Sequence, residues 1–169
     1  MIRTISLIVI LISGQAWSKP ISLFDEIGLA SGVKPIVLYG MSLHESSPVG
    51  YDRPWPWAVN IAGKSYWFNT KQEAIRAAVY ARKSGIKNVD VGLMQVSLKW
   101  HGDKFESIDD AFDPKTNLKV AAGIMKGLLR RHSLFDAIGK YHCPGEVAWC
   151  RKAANDYAIK VVGRLKGLE

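Results

Sequence analysis

Pro35-Ile-Val-Leu-Tyr-Gly-Met-Ser-Leu-His-Glu-Ser-Ser-Pro48 is the stretch on which the reading of this chain turns. Proline suits a first helical position, because the N–H it lacks would have had no intrahelical partner there. Ile36, Val37, Tyr39, Gly40 and Leu43 then carry an apolar helix toward His44-Glu45-Ser46, and Pro48 and Gly50 stop it. Glu45 therefore falls in the last turn of a mostly apolar helix, where the negative end of the helix dipole disfavours its ionised form. Such a carboxyl is a candidate general acid.

On the N-terminal side, Ser22 is placed to cap a short helix carrying Leu23, Phe24, Ile27 and Leu29, with Asp25 and Glu26 in its first turn and Gly32 at its end. On the C-terminal side the period changes. Trp55 to Ile61 and Ser65 to Asn69 flank Ala62-Gly63-Lys64, a pattern that predicts a β-hairpin with aromatic strands. Thr70 and Glu73 form a capping-box pair that opens a helix through about Lys83, ended by Gly85. Val89-Asp90-Val91 reads as a short strand leading into Gly92-Leu-Met-Gln95. Asp113-Pro114 begins a long helix with Leu118, Ala121, Ala122, Met125, Leu128 and Leu129 on one face. Ser133 caps another toward Tyr141, and a last helix is expected from about Gly145 to Leu165. These elements predict an α+β fold, mainly α, in one domain with a small β-hairpin subregion.

Residues 1–18 read as a secretory signal: Arg3 is the positive start, Ile5 to Ile12 is apolar but for Ser6, and Ala16-Trp17-Ser18 offers a cleavage site. The apolar run is shorter than the roughly 20 residues that span a membrane. Residues 19–169 are then the size of one domain. The 23 basic and 15 acidic residues give a net charge of +8, which suits a polyanionic partner. Charge alone leaves nucleic acid, anionic lipid and plain solubility open. The two cysteines, Cys143 and Cys150, suit a local disulfide in an oxidising compartment and make a poor zinc site. His44, His101 and His132 show no metal-ligand spacing, and no nucleotide-binding glycine loop or nucleophilic triad is visible, so no metal or organic cofactor is expected.

Glu45-Ser46, Gly92-Leu-Met-Gln95, Ala121-Ala-Gly-Ile-Met125 and Tyr141 occur in an order and at spacings that resemble the soluble lytic transglycosylases (SLT), a branch of the lysozyme-like superfamily. The likeness runs from about Leu23 to Tyr141. The inserted aromatic hairpin further resembles small members associated with conjugation, type IV secretion or pilus systems. The resemblance implies a lysozyme-like fold and periplasmic or secreted cleavage of the β-1,4 bond between MurNAc and GlcNAc, yielding a 1,6-anhydro end. It also implies peptidoglycan glycan strands as the partner, a conjugation or secretion machine as a further one, no nucleic acid, and no stable membrane span once the signal is removed.

The same resemblance implies that Glu45 is the catalytic acid and base and that Ser46, Gly92, Met94, Gln95 and Tyr141 bind substrate. Where the family has a Tyr-Asn pair, this chain has Tyr141-His142. Most glycosidases use two carboxyl groups. Asp90, just before Gly92, is the possible second carboxylate and would make the enzyme a lysozyme-type muramidase. A third reading is a non-catalytic glycan-binding or assembly protein that relies on aromatics such as Trp55 or Trp67; the cluster of Trp55, Trp57, Tyr66, Trp67 and Phe68 offers rings that can stack on sugars or simply pack the hairpin.

Overall fold

The computed structural model describes residues 22–167, so the expected signal segment lies outside the described residues. Helix α1 (Leu23–Ser31) is opened by Ser22, whose hydroxyl accepts the Asp25 N–H at 3.1 Å, and α2 (Pro35–Ser46) follows with proline in its first turn. The hairpin β1 (Ala58–Ile61) and β2 (Lys64–Trp67) precedes α3 (Lys71–Lys83), which Thr70 and Glu73 cap reciprocally. Strands β3 (Val89–Val91) and β4 (Val96–Ser97) lead into two short helices, α4 (Leu98–His101) and α5 (Ile108–Ala111). The long helix α6 (Pro114–Leu129), capped by Asp113, then gives way to α7 (Leu134–His142) and α8 (Ala148–Lys166). This is an α+β, mainly α, lysozyme-like fold. Among the described residues no helix is long and apolar enough to cross a membrane.

The β region is larger than a hairpin. Its four antiparallel strands run in the order β2-β1-β3-β4, with Asn60 opposite both Ser65 and Asp90, and Asp90 opposite Ser97. Because side chains alternate across a sheet, Ser65, Asn60, Asp90 and Ser97 form one polar row, while Val59, Val91 and Val96 are buried beneath it. The turn is Ala62-Gly63 alone, both at positive φ, and Lys64 joins the strand. Trp55 and Trp57 lie ahead of β1 in irregular chain, where Pro54 and Pro56 offer no N–H to a ladder. The last helix starts at Ala148 and not at Gly145. Residues ahead of it belong to a loop closed by a disulfide between Cys143 and Cys150, which ties the end of α7 to the first turn of α8.

The core lies where α2, α6 and the sheet meet, around the fully buried Leu38, Met41, Met94, Phe112, Leu118 and Met125. One polar side chain organises it. Asn117, buried in the first turn of α6, accepts the Met94 N–H at 2.9 Å and donates to the carbonyls of Val91 at 2.9 Å and Ala111 at 3.0 Å. It thereby pins the turn after β3 and the end of α5 to one helix. Removing it orphans buried backbone groups that water cannot reach. Asn117→Ala is therefore expected to lower stability by about 2–4 kcal/mol, read as a lower urea midpoint with an unchanged slope.

Candidate active site

Glu45 ends α2 beneath a cleft of about 1640 Å³, which it lines together with Asp90, Gln95, Tyr141 and His142. The polar row of the sheet forms one wall. On the other side run Val120, Gly123, Ile124 and Gly127 of α6. The Glu45 residue is half-buried, but its carboxyl is enclosed, and desolvation pushes its pKa up to about 8. The nearby Asp90 charge acts in the same direction, and a hydrogen bond from Tyr157 opposes both. That bond, from the Tyr157 hydroxyl to Glu45 Oε1, measures 2.5 Å. The carboxyl is thus protonated near neutral pH yet held by a donor that also favours its ionised form. A group that must give a proton and then take one back needs this balance.

Tyr157 carried no local signal. It sits mid-way along α8, 112 positions from Glu45, among residues whose spacing reads only as an ordinary buried helix face. Packing brings it to the acid. Gly139 of α7 lets α8 approach so closely that a Cβ there would lie 2.7 Å from the Ala154 carbonyl oxygen.

The residues implied by the resemblance divide into two groups. Gln95 lines the cleft, at an unusual φ of 44°, with its Nε2 donating to the carbonyls of Gly92 at 2.9 Å and Ala58 at 3.1 Å. Its amide nitrogen is occupied within the protein, and its amide oxygen is the end with acceptor capacity left. Tyr141 also lines the cleft, but its hydroxyl donates to the Met94 carbonyl at 2.8 Å and not to Glu45. The hydroxyl that reaches Glu45 is that of Tyr157.

Ser46, Met94 and Gly92 are not in the lining. Ser46 is fully buried, its hydroxyl donating to the Ser42 carbonyl at 3.0 Å and accepting the Trp55 N–H at 3.1 Å, so it anchors the chain entering the hairpin. Met94 is fully buried in the core because the turn directs its side chain inward, where its N–H meets Asn117. Gly92 is required by its φ of 80° and by the Asn117 amide, which a Cβ would approach to 2.5 Å. These three residues shape the site from behind.

The five hairpin aromatics are absent from the lining as well. Trp67 donates its indole N–H to the Ser46 carbonyl at 2.8 Å, which fastens the hairpin to the end of α2, and Trp55 donates to the Phe68 carbonyl at 2.8 Å, which ties the two ends of the hairpin together. An aromatic that the reading passed over, Trp100, is 70% exposed and does line the cleft, as does His101. Asp90 faces the same space. Burial raises its pKa, against a hydrogen bond from the Ser97 side chain and the nearby His142.

The sequence model of the Transglycosylase SLT domain matches residues 64–160, from the start of β2 into α8. The chain belongs to the SLT transglycosylase family. The match takes in Asp90, Gln95, Tyr141 and Tyr157 and begins after Glu45, whose place in the site rests on the geometry above. No curated protein and no solved structure matches the chain significantly. Family membership carries activity on peptidoglycan, a substrate outside the cytoplasm where a disulfide such as Cys143–Cys150 persists.

A folded-state pKa raised above the unfolded one means that folding takes up a proton. The stability Glu45 contributes in its protonated form is therefore complete below the ordinary glutamate value of 4.5 and is lost as the pH rises through about 8. Glu45→Gln, which cannot ionise, is expected to match the parent near the lower end of that window. Above its upper end the variant is expected to exceed the parent by about 1–3 kcal/mol, read from thermal and urea unfolding across pH.

Proposed function

We propose that the protein is a peptidoglycan lytic transglycosylase in which Glu45 is the single acid and base, cleaving the β-1,4 MurNAc-GlcNAc bond to leave 1,6-anhydro-MurNAc. The observation that carries this reading is the enclosed carboxyl of Glu45, protonated near neutrality and hydrogen-bonded by Tyr157 within the cleft of an SLT-family chain. Glu45 donates its proton to the glycosidic oxygen as the bond to the anomeric carbon breaks. The N-acetyl oxygen of the MurNAc ring stabilises the electron-poor carbon. The carboxylate, steadied by Tyr157, then accepts the proton of the sugar's C6 hydroxyl while that oxygen closes on the anomeric carbon. No water is consumed, and Glu45 ends protonated as it began.

The sequence features of residues 1–18 support export to the periplasm or beyond, leaving residues 19–169 as the mature SLT domain. The likeness of the aromatic hairpin to small conjugation- and secretion-associated members supports a role in opening the wall locally for such an apparatus.

One observation favours a second reading. Asp90 lines the same cleft and its charge bears on Glu45, which supports a muramidase that would use Asp90 as its second carboxylate to direct water. The products separate the two. Mature protein incubated with sacculi is expected to release anhydro-muropeptides, each lighter by one water than a reducing-end product in the mass spectrum. Glu45→Gln should abolish release while remaining folded, and Asp90→Asn should reduce it less than about tenfold. Reducing-end products, together with a loss of about a thousandfold or more in Asp90→Asn, would assign the protein to the hydrolases. The rate should also fall as the pH rises through about 8, where Glu45 ionises.

A further inference from the structure

The Tyr157 ring is held between two histidines. His142 stacks flat on it, with centroids 4.8 Å apart and planes 2° from parallel, and His44 meets it edge-on at 5.0 Å and 77°. The three rings come from three helices, α7, α2 and α8, which meet behind the acid. The Cys143–Cys150 bridge begins at the residue after His142 and so keeps that imidazole against α8. Beyond the stack, the Tyr157 hydroxyl is the donor to Glu45. Burial lowers the pKa of both imidazoles, His44 to about 4, and the cations Lys160 and Arg164 beside His44 push it the same way. The stack therefore joins neutral rings near neutral pH.

We propose that His142 is a positioning residue: with His44 it clamps the Tyr157 ring so that its hydroxyl keeps Glu45 oriented through both halves of the proton cycle. The inference rests on the reading of Glu45 as the acid. A tyrosine free to swing would bond the carboxyl only part of the time, and the developing carboxylate would lose its donor when it needs it most. A planar ring is what the position requires, and imidazole supplies one small enough to leave its outer edge in the cleft.

The test uses the mature chain on soluble, uncrosslinked glycan strands. His142→Ala should lower the rate at saturating substrate about tenfold and leave the half-saturating concentration within about twofold. His142→Phe should restore most of that rate, since the stack returns without the imidazole nitrogens. In a Tyr157→Phe background, His142→Ala should cost nothing further, because the two act as one unit. An equal added loss in that background, or a loss confined to half-saturation, would show His142 touching substrate directly and overturn the proposal. A His142→Phe variant as slow as His142→Ala would do the same. Ring flipping of labelled Tyr157, followed by NMR, reads the clamp without turnover: it should quicken in His142→Ala, and unchanged flipping refutes it. Glu45→Gln run alongside separates the two ideas, since activity surviving there discards the acid assignment whatever the clamp does.

Discussion

A 2.5 Å hydrogen bond between Tyr157 and Glu45 sets the demands on the rest of this structure. It has to form in a recess dry enough to keep a carboxyl protonated near neutral pH, yet the recess has to open into a cleft wide enough for a glycan. Desolvation and hydrogen bonding pull the acid in opposite directions, and the balance is useful only if neither partner can move away. The constraint falls on the last helix as much as on the helix that carries the acid. Without α8 against α2 and α7, Glu45 would be a solvated side chain in a final turn.

The other elements answer that demand by division of labour. The sheet presents Ser65, Asn60, Asp90 and Ser97 as a polar row toward the substrate space and turns Val59, Val91 and Val96 into the core, a consequence of register alone. Asn117 carries the turn after β3 on α6, so the backbone that offers Gln95 to the cleft is tied to the longest part of the core. Of the hairpin aromatics, Trp67 uses its indole N–H to fasten the sheet to the end of α2, and Trp55 uses its own to tie the chain before β1 to Phe68 after β2. Rigidity around Glu45 therefore comes from groups outside the cleft lining.

How much of this was readable from the residues depends on the range of each interaction. Helix beginnings were legible at Ser22, Thr70, Asp113 and Ser133, because a cap is a contract between residues three apart, and each of these side chains accepts the expected N–H. The short helices after β4 were missed, being too brief to show a period. The start of the last helix was placed early, since the disulfide loop and not propensity delays it. In the site, Glu45, Gln95 and Tyr141 were named from their motifs and Asp90 as the nearest further carboxylate, and the four line one cleft. Ser46, Gly92 and Met94 belong to the same motifs but face inward, because adjacent residues of a turn or helix end cannot all point the same way.

The sequence by itself determined the family, the α+β class, the order of the main elements and a glutamate at the end of an apolar helix. These follow from local chemistry and from motif order, both written along the chain. Only the tertiary structure decided that Tyr157, and not Tyr141, bonds the acid, that His142 stacks on that tyrosine, and that Asp90 shares the cleft. Each of those facts joins residues brought together by packing from distant elements. A spacing pattern can say which face of a helix is buried, but not which single side chain of a remote helix will reach across to meet it.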